Sequence, residues 1–138
     1  MLQQTKADTQ SSFYPESIMN YLRVLPNSGA MNVNNQSVFM AERGNIESGV
    51  KIKLYSEIKN DIIERVKYLV YGDGYVIAAL GAMSQALQGK KITQAANYSL
   101  STVAEELSIP VAKMNNIKLI KEALDNILFQ YKQNQNAK

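Results

Sequence analysis

Tyr71-Gly72-Asp73-Gly74-Tyr75-Val76-Ile77-Ala78 is the stretch that decides the fold. Upstream of it, Ile62 to Tyr71 reads as a β-strand, with Ile62, Val66, Tyr68 and Val70 as its candidate core face. Downstream the period changes. Val76 to Leu87 is rich in Ala, Leu and Met, all good helix formers, and Gly89 closes the segment. The two glycines offer the positive φ of a tight turn, and Asp73 is placed to cap the helix that follows.

Working outward, Gly49 to Ile58 alternates: Val50, Ile52 and Leu54 face one way, Lys51, Lys53 and Tyr55 the other. Asn60-Asp61 joins it to the next strand as a hairpin turn. A shorter strand is expected at Val38 to Glu42, after an irregular Asn-rich stretch at 30–37. Ile18, Tyr21, Leu22 and Leu25 recur at helical spacing, so Pro15 to about Leu25 is expected as a helix, ended by the turn residues Pro26 to Gly29. On the C-terminal side, short helices are expected at Thr93 to Tyr98 and, capped by Ser101, at Thr102 to Leu107. Pro110 then opens a last helix to about Tyr131, with Met114, Ile117, Ile120, Leu124, Ile127 and Leu128 on its apolar face. The fold class is therefore α+β: a three-stranded antiparallel sheet with helices packed on one face. One domain is expected over 13–132, between polar and flexible tails at 1–12 and 133–138.

Composition excludes several chemistries. The chain has no Cys and no His. Disulfides, thiolate metal sites, cysteine nucleophiles and the usual neutral-pH general base are all removed at once. Glu105 and Glu106 adjoin on a helix and point in different directions, so they make no acid–base pair. No phosphate-binding glycine loop and no zinc motif is present, and an enzyme is not expected. The net charge of +3 comes from lysines spread along the chain, too weak a signal for nucleic acid. Met31, Met40, Met83 and Met114 read as core or gap-filling residues, and the tyrosines form no stacking platform. The N-terminus is polar and no apolar run approaches a membrane span, so a cytoplasmic protein is the expectation.

The order of elements, together with several short motifs, resembles the IscU/NifU N-terminal family, the iron–sulfur cluster assembly scaffolds. The motifs are Tyr71-Gly72-x-Gly74, Gly89-Lys90-Lys91-Ile92-Thr93-Gln94-Ala95, Val103-Ala104-Glu105-Glu106-Leu107 and Lys121-Glu122-Ala123-Leu124. In the family the turn reads Gly-Cys-Gly, and a later stretch reads Leu-Pro-Pro-Val-Lys-Leu-His-Cys. Position by position, the turn cysteine falls on Asp73, and the His-Cys pair on Asn115 and Asn116. The first cysteine, in a Cys-Gly-Asp turn, falls near Ile46, with its aspartate near Ser48. Ile109-Pro110-Val111-Ala112-Lys113 resembles the family's chaperone-recognition loop, with the second proline replaced by Val111.

Clusters are held mostly by thiolates, and one aspartate with two amides does not replace three cysteines. The resemblance therefore implies a degenerate scaffold with no cofactor and no catalysis. Its expected role is that of an adaptor or regulator, with a cysteine desulfurase, an Hsp70-type chaperone or an unrelated complex as partner. Two other readings stand beside it. The former pocket could bind a hard cation or small ligand through Asp73, Asn115, Asn116 and Glu47. Alternatively, the chain is a structural subunit whose apolar faces a partner covers.

Overall fold

A computed structural model of the chain describes residues 14–137. The tail expected at 1–12 lies outside the described residues. Helix α1 spans Glu16–Val24, with Pro15 extended before its first turn. Strands β1 (Val38–Asn45), β2 (Val50–Lys59) and β3 (Ile62–Tyr71) form an antiparallel meander with β2 in the centre. Helices α2 (Gly74–Leu87), α3 (Ile92–Ala96) and α4 (Leu100–Glu106) follow, then a 3-10 turn at Val111–Lys113 and the long α5, Met114–Asn136. Helix α5 packs on β1 and β2, α2 packs on β3, and α1 packs on α2. Among the described residues no helix is long and apolar enough to cross a membrane.

The main core lies between sheet and helices. Ile52, Leu54, Val66, Tyr68 and Val70 meet Ile77, Leu80 and Met83 of α2 and Ile117, Ile120 and Ile127 of α5, all essentially buried. Fully burying one such side chain is worth about 1.5–3 kcal/mol, which makes this interface the main source of stability. The hairpin tip is held from outside the sheet. Asn60 and Asp61 both have positive φ, 53° and 64°, as a two-residue turn with the twist of a β-ribbon requires. The Tyr131 hydroxyl of α5 donates to Asp61 Oδ1 at 2.7 Å, and the Asp61 N–H donates back to that hydroxyl at 2.9 Å.

Several local expectations need correction. The core face of β3 is Val66, Tyr68 and Val70, as expected, but Ile63 joins it in place of Ile62. A bulge makes Glu57 pair with Arg65 and Ile58 with Ile63, leaving Glu64 as an extra residue that reverses the alternation. The second sheet face is partly covered. Met31 of the Asn-rich stretch folds over Val38, Tyr55 and Leu69, so Tyr55 is buried. Strand β1 continues to Asn45, beyond the expected Glu42, because the neighbouring β2 pairs with it to the end. Ser99, not Ser101, caps α4: its hydroxyl accepts from the Thr102 N–H at 3.2 Å. Pro110 opens the 3-10 turn and not α5 itself. Finally, α5 is helical through Asn136, where a loose tail was expected from 133. No Gly or Pro interrupts residues 132–136, and Lys, Gln and Asn can continue a helix.

Candidate functional site

Three segments distant in sequence meet at one end of the sheet: the β1–β2 turn, the Gly72–Gly74 turn, and the approach to α5. Each is shaped by its own residues. Asn45 closes the first as an Asx turn, its side-chain oxygen accepting from the Glu47 and Ser48 N–H groups at 3.0 and 3.3 Å. Gly49 completes that turn with φ of 69°. In the second, Asp73 is the N-cap of α2, and its Oδ1 accepts from Tyr75 N–H at 3.0 Å and Val76 N–H at 3.1 Å. In the third, Ile109 is buried and its N–H donates to Ala104 O at 2.8 Å. Pro110 to Ala112 stand exposed beyond that anchor.

Gly74 is required by packing and not by the positive φ expected of the turn. Neither Gly72 nor Gly74 is among the positive-φ glycines. A Cβ at position 74 would lie 2.8 Å from the Tyr14 ring and 3.0 Å from Leu22. Tyr14 sits there because its hydroxyl accepts from the Gly74 N–H at 2.9 Å, while its ring stands edge-on to Tyr75. Gly74, Tyr75 and Val76 thus have their N–H groups satisfied within the protein, so this helix start has none of them free for an anion.

Two polar bonds tie the segments together. Asp73 Oδ2 lies 3.2 Å from Lys113 Nζ, and the Ser48 hydroxyl donates to Asn116 Oδ1 at 2.9 Å. The Lys113 and Asp73 side chains are 42% and 20% exposed, so the pair is partly solvated and worth at most about 1 kcal/mol. The structure thus brings Asp73 and Asn116 into one bonded neighbourhood, each with a protein partner. Asn115 is exposed and makes no side-chain hydrogen bond among the described residues. Ile46 is 99% exposed at the tip of the β1–β2 turn. Glu47 is exposed and forms no ion pair among the described residues.

The donor set does not fit an iron–sulfur cluster. The turn carboxylate already serves a helix cap and an ammonium, one amide oxygen serves Ser48, and Ile46 offers only hydrocarbon. Among the described residues no three carboxylates, thiols or imidazoles gather where a metal ion would need them. The Asp73–Lys113 and Ser48–Asn116 pairings were not legible in the sequence. Lys113 stands forty residues from Asp73, and Ser48 sixty-eight from Asn116; only the positional comparison with the family hinted that these segments share a site.

Comparison with known proteins agrees with the fold and its order of elements. The family model described as the NifU-like N terminal domain matches residues 13–138. The iron–sulfur cluster assembly scaffold protein IscU of Escherichia coli K12 is 26% identical over 126 residues, covering 91% of this chain and 98% of that protein. The mitochondrial iron sulfur cluster assembly protein 2 of Saccharomyces cerevisiae is 29% identical, covering 90% of this chain and 80% of that one. Among solved structures, one from Fervidobacterium islandicum AW-1, described as an iron–sulfur cluster assembly scaffold for the SUF system, superimposes with a TM-score of 0.61 at 19% identity. It covers 86% of this chain and 98% of its own.

Proposed function

Since this chain belongs to the NifU-like N-terminal domain family, we propose that it is a non-catalytic member that acts through protein contacts and does not itself carry a thiolate-ligated cluster. Its role is that of an adaptor or regulator of iron–sulfur cluster assembly in the cytoplasm. The observation that carries this reading is the fate of the implied ligand positions. Where the family resemblance places cysteines and a histidine, this chain has Ile46, Asp73, Asn115 and Asn116. Two of these are engaged by Lys113 and Ser48. The bonds hold together the loops that in a working scaffold would surround the cluster. Relatives named as cluster assembly proteins support the pathway.

The partner loop is the Pro110–Ala112 segment. Ile109 anchors it, and Val111 is 88% exposed. An apolar side chain so exposed on a short 3-10 turn is available to a partner groove, and by resemblance that groove belongs to an Hsp70-type chaperone. Lys113 is a poor probe of this contact, because Lys113→Glu would set a second carboxylate beside Asp73. Val111→Glu leaves the Asp73–Lys113 and Ser48–Asn116 bonds intact.

The test is direct binding of the purified protein to a cysteine desulfurase and to an Hsp70-type chaperone. Wild type binds at least one, and Val111→Glu weakens the chaperone contact by about tenfold, the loss of one buried apolar anchor. Failure of wild type to bind either would remove the assembly reading. Anaerobic reconstitution with iron and sulfide gives no cluster absorbance after desalting; a stable chromophore would contradict the proposal directly.

A further inference from the structure

The lysines that lie scattered along the sequence are gathered by strand register. Alternate residues of β2 face away from α2 and α5: Lys51, Lys53, Tyr55, Glu57 and Lys59. Beside them, on the same face, stand Glu42 of β1 and Arg65 and Lys67 of β3. Five cations thus share the face with two carboxylates, Glu42 and Glu57, an excess equal to the net charge of +3 on the whole chain. With the bulge residue Glu64 counted, the excess is still two.

The excess is concentrated. Glu57 takes Arg65 at 2.9 Å and Lys59 at 3.5 Å, and Glu42 takes Lys51 at 3.5 Å. Lys53 stands directly across the strand pair from Glu42 but beyond ion-pair distance of it, and Lys67 has no carboxylate within that distance among the described residues. Lys53 follows Lys51 two residues on and is diagonal to Lys67, because Tyr55 pairs with Lys67 and Leu69 with Lys53. Diagonal and next-but-one neighbours on a sheet face stand roughly 7 Å apart, inside the ~10 Å screening length of physiological salt. The other diagonal of the same square, Tyr55 and Leu69, is buried under Met31, so the two ammonium groups flank that apolar cover, and an external anion relieves the repulsion left between them. Next to them is a concavity of about 520 Å³ lined by Ile46, Lys51 and Tyr71 among others. Among the described residues the one other aromatic ring on this part of the face, Tyr55, is 6% exposed, so they offer bases no row of rings to stack on.

We infer that this sheet face docks an acidic segment of a protein partner, with Lys51, Lys53 and Lys67 meeting its carboxylates and the Ile46–Tyr71 concavity taking an adjoining apolar side chain. The inference deepens the adaptor reading and rests on it for the protein nature of the partner. Val111→Glu, which tests the loop, does not touch this face, so either reading can fail alone.

The test uses the full chain and a short fluorescent peptide of Glu and Asp with one central Leu, followed by anisotropy. Wild type binds, and added salt weakens binding. The triple variant Lys51→Glu, Lys53→Glu, Lys67→Glu weakens it about tenfold, and Lys53→Glu alone about threefold, should the triple fold poorly by circular dichroism. The equal-charge control Lys90→Glu, Lys118→Glu, Lys132→Glu stays within about twofold of wild type, because those residues lie off the face. No binding by wild type overturns the inference. Equal loss in the control overturns it too, by reducing the effect to net charge. Tighter binding of a single-stranded oligonucleotide of the same charge, through the same lysines, would make the face a nucleic-acid surface instead.

Discussion

Replacing Asp73 by alanine removes two helix-capping hydrogen bonds and one ion pair in a single step. The cap accepts from Tyr75 and Val76 N–H groups at 3.0 and 3.1 Å, and loss of such a cap costs about 1 kcal/mol. The Lys113 pair at 3.2 Å is partly solvated, so it adds only about 0.3–0.5 kcal/mol. The expected total is about 1.5 kcal/mol, a fall of roughly 5 °C in Tm for a domain of this size. Urea denaturation followed by circular dichroism measures it. Asp73→Asn keeps an acceptor for the cap and loses only the charge, so it should cost about 0.5 kcal/mol or less. Asp73→Cys, which restores the residue type of the family turn, should behave like Asp73→Ala, since a thiol is a weak acceptor. Two results would refute the reasoning: a cost for Asp73→Ala indistinguishable from zero, or Asp73→Asn falling as far as Asp73→Ala. The first would mean that the turn does not depend on the cap. The second would make the charge, and not the cap, the reason for Asp73.

Other predictions address packing and charge. Gly74→Ala places a methyl 2.8 Å from the Tyr14 ring and should cost about 1–3 kcal/mol, of which Tyr14→Ala in the same chain returns part; additivity of the two in a double-mutant cycle would count against the contact. Glu57 is held below its ordinary carboxyl value of 4.5, first by its hydrogen bond to Arg65 and then by the charges of Arg65 and Lys59. Its folded pKa lies below its unfolded one, so its contribution is full above about pH 4.5 and is lost as pH falls through the folded value. Glu57→Gln should therefore flatten the acid limb of the stability curve and leave the neutral plateau lower; an unchanged acid limb by denaturation at pH 3–5 would refute this.

Much of the fold was legible because hydrophobic period is a local property. The alternation of Val50, Ile52 and Leu54 and the helical spacing of Ile117, Ile120, Leu124 and Ile127 depend only on neighbours in sequence, and all are buried as that spacing requires. The misreadings share a cause as well. Ile62 and Ile63 are indistinguishable by residue type, and which one faces the core depends on a bulge set by pairing with Glu57 and Ile58. Ser99 and Ser101 are equally good caps on paper, and packing of α4 onto the core through Leu100, Val103 and Ala104 selects Ser99. Gly74 reads as a turn glycine, yet its reason is a tyrosine sixty residues upstream.

The sequence by itself determined what this protein cannot do: a chain with no Cys and no His has no thiolate for a cluster and no thiol for sulfur transfer, wherever its loops lie. It also determined the order of strands and helices, since turn chemistry and period are written in adjacent residues. Only the tertiary structure decided that Asp73 meets Lys113, that Ser48 meets Asn116, and that lysines scattered along two strands form one basic face. Each of these depends on distances across strands and between loops, and side-chain electrostatics and hydrogen bonds act over a few ångströms of space and not along the chain.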